Sequence, residues 1–151
     1  MEYRRFKHAR FSARFPENFR YSGSHYWMSD AGGEPNLWRV GFTKFATRML
    51  GELVEAQWKS AGGDMIEPGQ EIGCVEGFKA ASDVFSVMKG EFIGGNPILE
   101  VDACIVRSSP YMEGWLYEVK GDPEEGSLDI DGYIALLQAT ISKMQESGNY
   151  D

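Results

Sequence analysis

A chain of 151 residues, 42% hydrophobic, 25% charged and 13% aromatic, has the length and make-up of one soluble globular domain, and not of a fibrous or disordered protein. No apolar run approaches the roughly 20 residues of a membrane helix, and a formal net charge of −8 speaks against a nucleic-acid partner. Cys74 and Cys104, with no CxxC spacing and no Cys/His cluster, supply neither a disulfide framework nor a zinc site, so a cytoplasmic, reducing compartment is expected.

The charge is unevenly spread. Residues 1–20 hold six basic residues (Arg4, Arg5, Lys7, Arg10, Arg14, Arg20) against Glu2 and Glu17, a net +4, which leaves nine basic against twenty-one acidic residues, −12, for the remainder. The chain therefore reads as a basic N-terminal extension, residues 1–20, on a single acidic domain, residues 21–151. Phe6, Phe11, Phe15 and Phe19 interleave with the charges, as expected of an extension that packs its rings on the domain edge; a cleaved presequence is the other reading.

Glycines then punctuate short apolar runs at intervals of about ten residues, the rhythm of many short strands and tight turns. Strands are expected at Trp38 to Gly41, Gly51 to Ala56, Glu71 to Glu76, Asp83 to Val87, Gly90 to Ile93 and Trp115 to Val119. Antiparallel strands of this kind close into a sandwich or barrel. Thr43 is placed to cap a short helix over Lys44 to Leu50, with Phe45 and Met49 on one face and Gly51 ending it. Ile130, Tyr133, Ile134, Leu137, Ile141 and Met144 recur at helical spacing behind Asp129 and Asp131, which predicts a C-terminal helix laying its apolar stripe across the sheet.

No nucleophile elbow, phosphate loop or dinucleotide fingerprint is present, so a stand-alone enzyme has no catalytic set. His8 and His25 are far apart, and a histidine among aromatics, as in Ser24-His25-Tyr26-Trp27, reads as a structural residue. The carboxylates of Glu124, Glu125, Asp129 and Asp131 fall in a polar loop leading into the last helix. Lys79 stands between two strand-like runs beside a glycine, hence at or near a hairpin tip. A lysine so placed is either plainly solvated or a point where the amine is acylated to carry a long arm.

Glu76-Gly77-Phe78-Lys79-Ala80-Ala81-Ser82-Asp83 resembles E-S-V-K-A-A-S-D, the lipoylation motif of the glycine cleavage H proteins, with Lys79 on the lipoylated lysine and Gly90 on the glycine eleven residues further. A biotin carrier has methionine on both sides of its lysine. Ser24-His25-Tyr26-Trp27 resembles S-H-E-W, Val40 to Ala46 resembles V-G-I-T-x-Y-A, and Leu50-Gly51-Glu52-Leu53-Val54 resembles L-G-D-I-V. Asn96 and Leu99 keep the spacing of N-x-x-L, and Pro110 to Leu116 resembles P-Y-G-E-G-W-L. The resemblance covers about residues 20 to 146.

It implies a mostly β fold, a barrel-sandwich hybrid of short antiparallel strands with a short side helix and a C-terminal helix. It also implies a carrier with no catalysis of its own, bearing lipoic acid as a lipoyl-lysine amide on Lys79. Glu76 is then either a recognition point for lipoylating enzymes or a plain exposed strand charge. Cys74, on the strand leading to the tip, is either a partner in thiol exchange with the dithiolane or an inert core residue, and Cys104 reads as inert core. No metal ligand set is implied.

Gly77 and Phe78 replace the serine and valine before the lysine, Tyr26 replaces the glutamate of S-H-E-W, and Ala103 and Arg107 stand where proline and asparagine are usual. Of these, Gly77-Phe78, together with Gly41 to Glu52, looks more like the lipoate-binding proteins of the bacterial heterodisulfide-reductase-like sulfur-oxidation system. On that branch the arm serves the heterodisulfide-reductase-like complex. On the glycine cleavage branch it takes an aminomethyl group from glycine decarboxylase to the aminomethyltransferase and is reoxidised by dihydrolipoamide dehydrogenase. An unlipoylated interaction module is the third reading. The acidic body suits basic partner surfaces.

Overall fold

The computed structural model describes residues 1–148. In chain order its strands are β1 (Tyr3–His8), β2 (Phe11–Pro16), β3 (Arg20–Tyr21), β4 (Tyr26–Asp30), β5 (Leu37–Phe42), β6 (Leu53–Trp58), β7 (Met65–Ile66), β8 (Glu71–Gly77), β9 (Ala81–Phe85), β10 (Met88–Gly95) and β11 (Tyr117–Pro123). The helices are α1 (Lys44–Leu50), α2 (Ile105–Ser108) and α3 (Ile130–Glu146), with one 3-10 turn at Pro97–Glu100. The strands form a six-stranded sheet ordered β3-β4-β5-β11-β10-β7, a three-stranded sheet β6-β8-β9 and the hairpin β1-β2, antiparallel throughout. This is the expected mostly β, antiparallel architecture, its strands foretold by the glycine rhythm and its side and C-terminal helices by their caps and apolar spacing.

Two apolar clusters hold it together. One lies between the two larger sheets, where Met28, Val40, Ile72, Val84, Phe92 and Val119 lose essentially all contact with water. Burying each such side chain stabilises by roughly 1.5–3 kcal/mol. The second is aromatic and joins the N-terminal hairpin to α3: Phe6, Phe11, Phe15, Tyr21, Tyr133 and Leu137 pack into it.

The first twenty residues thus contain a hairpin as well as charge. Arg4, Phe6 and His8 pair directly opposite Phe15, Ala13 and Phe11, so the hairpin carries three of the four early phenylalanines, and these join Phe19 in the aromatic cluster. Charges interleave with phenylalanine in the sequence, but the phenylalanines stand four or five residues apart, so no strict alternation marks the two strands. β4 was missed because Tyr-Trp-Met-Ser-Asp contains no β-branched residue, although Tyr26, Trp27 and Met28 are all buried.

Thr43 caps α1 by accepting the Ala46 N–H, and Gly51 ends it by donating its N–H to the Thr47 carbonyl. Only half of the expected apolar face is real: Phe45 is buried, whereas Met49 points to solvent and Thr47 and Leu50 fill the face instead. Asp129 caps α3 through the Gly132 N–H at 2.8 Å; Asp131 binds the Arg4 guanidinium, which itself holds Glu17 at 3.0 Å. The stripe of α3 meets β3, the edge strand of the six-stranded sheet, and also the β1-β2 hairpin, whose phenylalanines complete its apolar surroundings.

His25 explains the Ser-His-x-Trp motif as a joint. Its Nδ1 lies 2.9 Å from the Tyr133 hydroxyl, which is 2.9 Å from Thr43 Oγ1. In either neutral tautomer of His25 the Tyr133 hydroxyl can donate to one neighbour and accept from the other, so one chain of hydrogen bonds fastens β4, α1 and α3. Burial pushes the imidazole down to about 4 from 6.5. The unfolded chain therefore binds the proton first: stability from this group is complete above pH 6.5 and is lost as pH falls toward 4, by roughly 3 kcal/mol in all. His25 has a φ of +73°, which asparagine tolerates. Melting curves from pH 7 to pH 4 should show His25→Asn losing less stability than wild type, and parallel curves for the two would rule this joint out as the cause.

Candidate functional site: the Lys79 turn

β8 and β9 run antiparallel with Glu76 opposite Ala81, and the chain turns between them at Gly77 to Ala80. The turn is closed by the Gly77 N–H donating to the Ala80 carbonyl at 2.9 Å. Two further backbone bonds dock it on the end of α1 and the start of β6: the Lys79 N–H donates to the Leu50 carbonyl at 2.9 Å and the Phe78 N–H to the Glu52 carbonyl at 3.0 Å. Leu-Gly-Glu at 50–52 is thus the seat of the lysine turn.

Two glycines make the seat possible. Gly51 has a φ of +76°, and a Cβ there would lie 3.0 Å from Lys79 Cγ. At Gly77 a Cβ would come 2.3 Å from the Leu50 carbonyl oxygen. A side chain at Gly77 would force the turn and Leu50 apart, and one at Gly51 would adopt a strained φ and crowd Lys79. Gly77, which departs from the E-S-V-K pattern, is in this chain the residue that lets the turn lie flat on Leu50.

Lys79 is exposed, and among the described residues its Nζ reaches the Arg48 carbonyl alone, at a long 3.4 Å. The backbone is fixed and the amine is presented to solvent. Phe78, beside it, is 79% exposed, which places a bare aromatic ring next to the amine. Nothing in the sequence told an exposed Phe78 from a buried one, because hairpin-tip residues have no periodicity.

Glu76 is exposed on β8 and pairs opposite Glu55. With Asp83 and Ser82 these carboxylates border a shallow depression of about 330 Å³, which Cys74 also lines. Glu76 and Cys74 are therefore together, on the flank of the hairpin whose tip carries Lys79. Cys104 corrects the sequence reading: it is exposed and not core. A hydrogen bond to Glu52 and the nearby Asp102 carboxylate raise its thiol above the ordinary value, which lowers its thiolate fraction and reactivity. No group of His, Cys, Asp and Glu suited to a metal occurs among the described residues, and no described helix is long and apolar enough to cross a membrane.

The remaining motifs are structural. Trp27 Nε1 donates to the Pro110 carbonyl at 3.0 Å, the Lys44 N–H donates to the Tyr111 hydroxyl at 2.9 Å, and Asn96 Nδ2 donates to the Glu113 and Trp115 carbonyls at 2.9 Å. They hold residues 110–115 against β4 and α1.

A small antiparallel β domain that seats one exposed lysine on a rigid hairpin turn, without a catalytic cluster around it, has the form of a carrier domain. The glycine cleavage H-protein family model matches residues 19–133. H proteins of Pseudoalteromonas atlantica and Corynebacterium jeikeium are each 36% identical over 121 residues, covering 78% and 80% of this chain and 92% and 94% of the relatives. The crystal structure of a glycine cleavage system H protein from Mycobacterium marinum superposes with a TM-score of 0.71 at 29% identity, over 80% of this chain and 97% of that one. The chain belongs to the glycine cleavage H-protein family, a family of carriers bearing lipoate on a lysine. The specific closeness to the sulfur-oxidation branch expected from Gly77 and Phe78 finds no support in these relatives, whose names all belong to glycine cleavage.

Proposed function

We propose that Lys79 is the lipoylated lysine and that the protein serves glycine decarboxylase, the aminomethyltransferase and dihydrolipoamide dehydrogenase in turn, as the H protein of a glycine cleavage system. The observation that carries this reading is the seat of the turn: a lysine whose backbone is held by bonds to Leu50 while its amine meets solvent, in a chain matched to this family over residues 19–133. The site fits the group, since acylating Nζ gives up one long contact to the Arg48 carbonyl and buries nothing. When attached, lipoate supplies a dithiolane that opens to two thiols on a flexible arm. The protein's own part is to hold that arm's root rigid, so that each partner meets it at high effective concentration. Glu76 is the residue we assign to recognition by lipoylating enzymes, being exposed three residues before Lys79.

A relay in heterodisulfide-reductase-like sulfur oxidation is the second reading, favoured by the exposed Phe78 and by Gly77 at the tip. The two separate in glycine–bicarbonate exchange by glycine decarboxylase, run with this protein lipoylated, as confirmed by intact mass, and with an established H protein as control. Exchange within about tenfold of the control is the expected result, one order of magnitude being the 1.4 kcal/mol that a few altered surface contacts cost. No exchange beside an active control would sink the glycine cleavage reading. Failure of this chain to gain lipoyl mass would leave the interaction module.

A further inference from the structure

A cleft of about 860 Å³ lies between the outer face of the β1-β2 hairpin, the start of α1 and residues 107–112. It is basic on an acidic protein: Arg5, Lys7, Arg14, Lys44 and Arg107 line it together with serine hydroxyls, and among the described residues no carboxylate does. Three of the five cations lie before residue 19, outside the stretch matched to the family.

The charges are concentrated there against a cost. Arg5 stands directly opposite Arg14 in the hairpin register, and like charges so placed repel. Arg14 lies over the Tyr3 ring at 5.0 Å, and Arg107 Nη1 binds Glu52 at 3.2 Å. Arg5, Lys7 and Lys44 take part in no ion pair among the described residues. An anionic occupant would relieve the Arg5–Arg14 repulsion. Four of the five cations are exposed and spread along the cleft, so they suit an extended row of carboxylates and not one small anion, which needs converging buried donors. A long polyanion such as nucleic acid would leave the cleft and run over a body that carries −12 outside the first twenty residues.

We propose that this cleft docks an acidic segment of a partner protein. It is coupled to the lysine turn at two points. Arg107 is paired with Glu52, whose carbonyl holds Phe78, and α1 begins at Lys44 in the cleft and ends at the Leu50 that holds Lys79. A segment bound here brings its owner alongside the arm. The proposal adds a basic docking surface to a protein whose net charge suggests only acidic ones.

The test is a titration of the full-length, isotope-labelled protein with a deca-glutamate peptide, followed by amide chemical shifts. Saturable shifts confined to β1, β2, Lys44 and residues 107–112 are expected, with affinity at least about tenfold weaker at high salt. Arg5→Glu combined with Lys7→Glu should weaken binding about tenfold or more, while Lys89→Glu with Lys143→Glu, the same change in net charge on exposed positions elsewhere, should change it less than about twofold. An acidic residue at position 5 would face Arg14 attractively, so the first variant is expected to fold. No saturable binding, equal losses in both variants, or tighter binding of a single-stranded DNA decamer would overturn the proposal. None of these readings depends on lipoylation or glycine exchange.

Discussion

Lys79→Arg is expected to fold with unchanged stability, to gain no lipoyl mass when co-expressed with lipoylating enzymes, and to support glycine–bicarbonate exchange roughly a thousandfold below the lipoylated wild type, the scale of advantage that tethering confers. Arginine keeps the positive charge and the stem, so the turn on Leu50 and Glu52 is untouched. What it removes is an amine that can be acylated, because the guanidinium stays protonated and delocalised. The side chain is exposed and its amine makes, among the described residues, one 3.4 Å hydrogen bond to a carbonyl, so its change should stay within about 0.5 kcal/mol of wild-type stability. Intact mass, a thermal melt and exchange separate the outcomes. A variant that still gains lipoyl mass would move the modification to another lysine. One that gains none yet exchanges at the wild-type rate would refute the carrier role itself.

Much of this site was legible in the residues because its chemistry is local. Lys79 between two strand-like runs with a glycine beside it is a hairpin tip on propensity alone, and β8 and β9 bear this out within two residues at each end. The cap of α1 by Thr43 and its stop at Gly51 were also legible, being properties of a few adjacent residues. The seat of the turn was not. It depends on Leu50 and Glu52 meeting Lys79 and Phe78 across nearly thirty residues, and no periodicity records a contact between two loops. Exposure failed in the same way: Met49 and Cys104 carry apolar side chains that composition assigns to a core, yet each faces water because Leu50 and Ala103 beside them take the buried positions.

The motifs divide accordingly. His25, Trp27, Thr43, Asn96 and Tyr111 recur in the resemblance, and in the structure each makes a hydrogen bond that fastens one element to another. They report the fold and not the chemistry. Phe78 at the tip and most of the cations of the cleft lie instead on exposed surface, which packing does not dictate. That is where one member of a family can differ from another in the enzymes it meets.

Phe15→Ala should cost about 3–5 kcal/mol. Phe15 has no exposed surface, and its ring stands edge-on to three others: Tyr133 of α3 at 5.4 Å, Tyr21 of β3 at 6.2 Å and Tyr111 at 6.5 Å. It also meets Phe6 across the hairpin at 5.9 Å. Removing it leaves a void ringed by aromatics that cannot close, since Tyr21 and Tyr133 are stacked at 4.8 Å and Tyr133 is tied to His25 and Thr43 by hydrogen bonds. Basic though they are, residues 3–16 then act as part of the fold, and urea unfolding should remain a single transition with an unchanged slope and a lower midpoint. A loss below about 1 kcal/mol, or an early separate transition, would mean that the hairpin is an appendage. The basic cleft would then be a surface that comes and goes, and acidic-peptide binding would disappear in urea before the domain unfolds.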